Sequence, residues 1–210
     1  MNVAAADSTS SVGKRDAILE AANKVFLEVG FGAASMDSIA NAAQVSKQTV
    51  YNHFGSKEEL FAAMVRSSCD NITLAFAEAI KDSNPEKALS TMARHFMDVV
   101  FLPEKLAMHR ILMAEVPRFP ELGRVYYQSG PAIIRKFLAD YFVEQNKRGT
   151  LKVDNPQFTA EQFISMVTCC RLRVDLAVEP MPSDEIKQQY IDNAVSLIMR
   201  ACKPRTGKTE

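Results

Sequence analysis

Apolar positions recur three to four residues apart from Lys14 to Cys202, and no stretch combines period-two alternation with β-branched enrichment and hairpin turn pairs. The pattern predicts an all-α chain. Its first helix, roughly residues 14–29, sets Ile18, Ala22, Val25, Phe26 and Val29 on one face and stops at Gly30, a residue suited to a left-handed cap. Ser35 then precedes a short helix with Met36, Ile39, Ala40 and Ala43 inward, and Ser46 precedes a second one ending at Phe54 and Gly55. Only Gln44 and Val45 separate them, so the two must cross steeply, as in a helix-turn-helix. Ser56 with Glu59 has capping-box spacing and opens a long helix through about Ile80, which links two domains.

Asn84-Pro85, Leu102-Pro103, Pro117 to Pro120, Thr159 with Gln162, and Pro182-Ser183 divide the rest into about five further helices, with the clearest loop at Gly149 to Pro156. The last two, roughly 159–178 and 183–202, carry apolar stripes: Phe163, Val167, Cys170 and Val174 in one, Ile186, Tyr190, Val195, Ile198 and Met199 in the other. Met1 to Gly13 is small and polar and reads as a flexible arm; Lys203, Arg205 and Lys208 make a basic tail. The expected organisation is therefore an arm at 1–13, a three-helix domain with the helix-turn-helix at 14–60, a larger helical body at 61–202 and a tail at 203–210. With no basic leader followed by an apolar segment and no run of about 18 apolar residues, the expectation is a soluble, cytoplasmic protein.

The chemistry concentrates in the helix from Lys47 to Phe54. At about 100° per residue, Val50 and Phe54 fall on one side and face the core. Opposite lies Asn52, flanked by Gln48 and Thr49, with Tyr51 and His53 to either side. A major groove admits one helix whose central residues reach base edges while lateral ones reach phosphates. Gln48 and Asn52 carry the paired donor and acceptor that match adenine edges; Lys47 suits guanine or phosphate. Thr49, Tyr51 and His53 suit phosphate. Ser35 and Lys57 sit at helix N-termini where free N–H groups favour anions, and for Ser35 simple capping is equally open.

The stretch from Gly30-Phe31 through Ser35-Met36 and Ile39-Ala40, then Val45-Ser46-Lys47-Gln48-Thr49-Val50-Tyr51-Asn52-His53-Phe54-Gly55-Ser56-Lys57-Glu58-Glu59-Leu60-Phe61, resembles the TetR/AcrR family of bacterial transcriptional regulators. The resemblance covers roughly residues 14–61. It implies that Thr49, Tyr51, His53 and Lys57 contact DNA phosphates and that Lys47 and Gln48 lie nearest the bases; the role of Asn52 rests on the helical wheel alone. Gln44 departs from the glycine common in that turn and puts a side chain where a left-handed conformation is required. The resemblance further implies a homodimer through the last two helices, a palindromic double-stranded operator, and a ligand-binding body that releases DNA when a small, largely apolar effector binds. An activator or a corepressor-dependent binder would use the same two sites with opposite coupling, and the sequence leaves that sign open.

For the body, Phe76, Met92, His95, Phe96, Met108, His109, Met113, Phe119, Tyr126, Tyr127 and Phe137 suit either an effector cavity or ordinary core, and no pocket residue is singled out. Arg171 and Arg173 near Asp175 suit an acidic effector or internal ion pairs. An enzyme using His95 or His109 with Glu115 was weighed, but no nucleophile, base and orienter converge in any spacing, so no catalytic residue, cofactor or metal is expected. Cys69, Cys169, Cys170 and Cys202 lack paired spacing and read as reduced, structural thiols. The 25 basic and 25 acidic residues cancel. Even Lys14 to Lys57 holds five basic residues (Lys14, Arg15, Lys24, Lys47, Lys57) against four acids (Asp16, Glu20, Glu28, Asp37), so weak non-specific affinity is expected.

Overall fold

In a computed structural model the described residues are 4–204, those from 13 onward with their side chains, and all regular structure among them is helical. The residues divide into two compact units. One comprises the chain through Ser68 together with Ala107–Gly130; the other comprises Cys69–Leu106 and the chain from Pro131 onward.

The first unit holds α1 (Ala4–Ala33), α2 (Met36–Ala42), α3 (Lys47–Phe54), the start of α4 (Lys57–Ala79), the end of α6 (Pro103–Glu115) and α7 (Pro120–Ser129). Its core gathers Ile18, Ala22, Phe26, Phe31, Ile39, Val50, Phe54, Leu60, Phe61, Leu112 and Leu122. Phe26, Phe31 and Phe61 form a triangle with centroids 5.6–5.7 Å apart, and Phe119 joins Phe31 edge-on at 5.9 Å. Such pairs add to the energy of burial itself.

Two expectations about α1 need correction. The arm foreseen over residues 1–13 is helical from Ala4 onward, where Ala4, Ala5 and Ala6 supply the strongest helix formers; residues 1–3 lie outside the described part. Val29, placed on the core face by its spacing, is half exposed just before the break at Gly30. Gly30 does end the regular helix, at φ 76° and ψ 170°, a combination open essentially to glycine alone.

The second unit holds the end of α4, α5 (Pro85–Val100), α8 (Pro131–Arg148), α9 (Pro156–Val167), α10 (Arg171–Asp175) and α11 (Asp184–Ala201). Here α9 packs on α8, α11 and α5, and α11 packs on α5, around Phe76, Leu89, Met92, Met97, Phe142, Phe163 and Ile191. Seven helices follow α4 where about five were expected. Gly130-Pro131 separates α7 from α8, and the expected helix 159–178 breaks at Thr168 to Cys170 into α9 and α10. The first of these starts at Pro156 rather than near Thr159, because Asn155 caps it by accepting from Phe158 N–H at 3.0 Å. Proline opens each of α5 to α9, and Asn84 and Asn155 add side-chain caps to α5 and α9.

The expected loop at 149–156 is pinned by Asn146, whose side-chain amide donates to Val153 C=O at 2.8 Å and accepts from Val153 N–H at 2.7 Å. Of the tail, Lys203 and Pro204 are described; Arg205 and Lys208 lie outside.

Candidate nucleic-acid interface

Local chemistry builds the turn that presents α3. Val45 N–H bonds Ala40 C=O at 3.0 Å and Gln44 N–H bonds Asn41 C=O at 3.1 Å, the paired bonds of a Schellman cap. Gln44 takes the left-handed position at φ 55°, as its place in the turn required, and keeps the two-helix geometry without glycine. Ser46 caps α3 by accepting from Thr49 N–H at 3.1 Å, and its hydroxyl lies 2.8 Å from Thr49 Oγ1. Val50 and Phe54 are buried, which turns Lys47, Gln48, Tyr51 and Asn52 out to solvent and leaves Thr49 and His53 at the margins. The buried side of the wheel drawn from the sequence is the one observed; on its outer side Tyr51, foreseen at the flank, is exposed, and Thr49, foreseen beside Asn52, is partly buried.

Lys47 and Gln48 on that face already have partners within the first unit. Lys47 Nζ lies 2.8 Å from Asp37 Oδ1 and 3.0 Å from Oδ2, which pushes its ammonium above the ordinary lysine range, and stands 5.9 Å from the Tyr51 ring centroid. Gln48 Nε2 donates to Asn52 Oδ1 at 2.8 Å, one turn along the helix. Tyr51 is 41% exposed. His53 rests against Phe54, ring centroids 6.1 Å apart.

Ser35 and Lys57 sit apart from this row and carry structural duties. Ser35 is the N-cap of α2: it accepts from Ser38 N–H at 3.0 Å, while Ser38 Oγ accepts from Ser35 N–H at 3.1 Å, a reciprocal box. The Lys57 ammonium donates to Phe31 C=O at 2.6 Å and Ala34 C=O at 2.8 Å and stands 4.4 Å over the Phe31 ring. Its partial burial lowers its pKa from the ordinary lysine value. Phosphate contact was expected of Lys57; in the protein alone its ammonium bonds carbonyls at the end of α1.

Two residues beside α3 escaped the sequence reading. Asp37 holds Lys47, and Arg15 places its guanidinium 5.6 Å from the Phe54 ring at the far end of α3. Neither has a local signal, since both pairings join different helices.

Other candidates resolve plainly. Arg171 bonds Asp175 at 3.2 Å and Val100 C=O at 3.0 Å; Arg173 bonds Glu179 at 2.6 Å and Tyr190 Oη at 3.1 Å. Both arginines serve internal pairs. Glu115 accepts from Gly32 N–H at 3.1 Å. Cys69, Cys170 and Cys202 are buried and Cys169 is exposed. Among the described residues no group of three or more His, Cys, Asp and Glu could hold a metal ion, and no helix is long and apolar enough to cross a membrane.

A tight two-helix turn that projects a polar, aromatic-flanked second helix from a helical unit, in a chain with a second all-helical unit, defines a helix-turn-helix DNA-binding regulator. Residues 18–64 match the family described as bacterial regulatory proteins, tetR family, and residues 87–204 match the AefR-like transcriptional repressor C-terminal domain. The chain belongs to the TetR family of transcriptional regulators. YhgD, an HTH-type transcriptional regulator of Bacillus subtilis strain 168, is 37% identical over 179 residues, covering 83% of this chain and 90% of the relative. Among solved structures, the flavonoid-responsive regulator FrrA is 34% identical with a TM-score of 0.74. A TetR-family regulator from Mesorhizobium loti MAFF303099 is 27% identical with a TM-score of 0.79. Each likeness spans 92% of this chain and 98% of the solved one.

Proposed function

We propose that this chain is a dimeric repressor that holds a palindromic operator with two copies of α3 and lets go when a small, largely apolar effector binds its second unit. The carrying observation is the exposed row Lys47, Gln48, Tyr51 and Asn52, held outward by the burial of Val50 and Phe54. In this reading Lys47, Gln48 and Asn52 meet base edges, and Thr49, Tyr51 and His53 meet phosphates. Ser35 and Lys57 set the helix ends, and a phosphate that reaches Lys57 shares its ammonium with the two carbonyls. Repression is supported by the repressor description of the C-terminal match, and an apolar effector by the flavonoid response of FrrA.

In this reading the dimer forms through the part of the last two helices that the chain's own core leaves exposed, which includes Ile186 of the stripes first singled out. Phe163, Val167, Cys170, Val174, Val195 and Ile198 are buried in the chain's own core. Left outside, on and between α10 and α11, are Leu172, Leu176, Val178, Met181, Ile186 and Leu197, each 40% or more exposed. An apolar face of this extent on a monomer marks a surface to be covered, and a twofold pairing through it presents two reader helices to two half-sites.

The test is fluorescence anisotropy with a duplex recovered by in vitro selection on the full-length protein. Expected are an inverted-repeat consensus, binding abolished by Tyr51→Ala, and release on titrating flavonoids or comparable planar apolar compounds. Ligand-strengthened binding would reverse the sign of regulation. Selection that yields no consensus would remove the reading.

A further inference from the structure

Two donors on the α3 face are engaged before any DNA arrives: Gln48 by Asn52, and Lys47 by Asp37 from the first turn of α2, ten residues earlier. Both side chains of the Lys47–Asp37 pair are more than half exposed, 58% and 59%, so the pair adds little to folding stability. Its effect falls on whatever approaches α3. Of the five basic residues between Lys14 and Lys57, Lys57 is bonded to carbonyls and Lys47 to a carboxylate, which leaves the three on α1.

We propose that Asp37 is a specificity-determining positioning residue: it holds Lys47 against α2 and screens its charge, so that phosphate alone gains little by drawing the lysine out. The inference rests on α3 being the reader helix. A non-specific phosphate offers Lys47 one negative partner in exchange for another and leaves Asp37 unpaired beside a polyanion. At the right sequence, Gln48 and Asn52 trade their mutual bond for base edges in the same step, and the combined gain offsets the isolated carboxylate. A screened lysine thus lowers the background against which base contacts compete, and specificity is a ratio of the two affinities.

The experiment measures binding of the full-length protein to an unrelated 30-base-pair duplex and to its selected duplex across a salt series. Asp37→Asn is expected to bind the unrelated duplex roughly five- to tenfold tighter at low salt, with the log K against log salt slope steeper by about one per lysine released. The selected duplex gains less, so the ratio falls. Asp37→Glu keeps the charge and behaves as wild type. With Lys47→Met already in place, Asp37→Asn has no further effect. The proposal is overturned by an unchanged affinity and slope for Asp37→Asn, or by the same gain in the Lys47→Met background, which would make Asp37 a repulsive charge acting without the lysine. Tyr51→Ala binding both duplexes as wild type does would instead refute α3 as the reader. Matching thermal melts for all variants separate these outcomes from loss of fold.

Discussion

The Glu115 carboxylate accepts a hydrogen bond from Gly32 N–H at 3.1 Å, joining the end of α6 to the segment that leads from α1 into the helix-turn-helix, 83 residues away in sequence. Two glycines make room for it. A Cβ on Gly30 or Gly32 would stand 3.0 Å from a Glu115 oxygen, and one on Gly32 would also stand 3.0 Å from the Phe119 ring. Removing the acceptor in Glu115→Ala is expected to cost about 1.5–3 kcal/mol, the range for a hydrogen bond to a charged group. Gly30→Ala adds backbone strain of about 1–3 kcal/mol at its positive φ. Urea unfolding measures both, and a midpoint equal to wild type for either variant would contradict the account.

Lys57→Met leaves the Phe31 and Ala34 carbonyls without their cationic donor and removes the charge above the Phe31 ring. Stability should fall by about 1–3 kcal/mol, the cost of stranding partly buried acceptors. Measured alongside DNA binding, the variant separates a structural lysine from a phosphate contact: full thermal stability with weakened binding would favour the phosphate role alone.

Leu172→Glu combined with Leu176→Glu places two charges on side chains that are 67% and 65% exposed, so the fold of one chain is undisturbed. Light scattering should report half the wild-type mass with unchanged helical circular dichroism. A double variant that keeps the wild-type mass would refute the proposed dimer face.

Tyr141 is 5% exposed and its hydroxyl has no hydrogen-bond partner. Tyr141→Phe removes a buried unsatisfied group at almost constant shape and should stabilise the protein by about 1 kcal/mol. A destabilised variant would show that the hydroxyl finds a partner in solution.

Burial pushes the Cys69 thiol from 9.0 up to about 11 and the Tyr141 phenol from 10.0 up to about 12. Both are acids kept neutral by the fold, so the unfolded chain ionises first. Their stabilisation is complete below pH 9 and is lost as pH rises from about 9 to 12. Urea midpoints should fall across that window, and less steeply in a Cys69→Ala, Tyr141→Phe variant. A flat profile in wild type would count against the burial of both groups.

Much of α3 was legible because its causes are local. Ser46 caps it, Val50 and Phe54 recur one turn apart, and Gln44 occupies the left-handed turn position, all within eleven residues of chain. The partners of Lys47 and Lys57 were illegible for the opposite reason. Asp37 and the Phe31 carbonyl come within 3 Å only through the crossing of α2 on α3 and the return of α4 beside the end of α1. The stripe at Phe163 to Val174 illustrates the same divide: periodicity showed which face was apolar, but only packing on α8 and α11 decided that it belongs to this chain's own core.

The sequence by itself determined the all-helical class, the caps at Ser35 and Ser46, the tight turn and the buried side of α3, since each follows from propensity and period over a few residues. Tertiary structure alone decided that α7 and the end of α6 join the DNA-binding unit, that Glu115 braces Gly32, that Lys57 is spent internally, and that Asp37 holds Lys47. Those outcomes depend on distances between segments ten to more than eighty residues apart, which no local pattern encodes. The crossing angles that set those distances arise only when all the apolar faces are buried together.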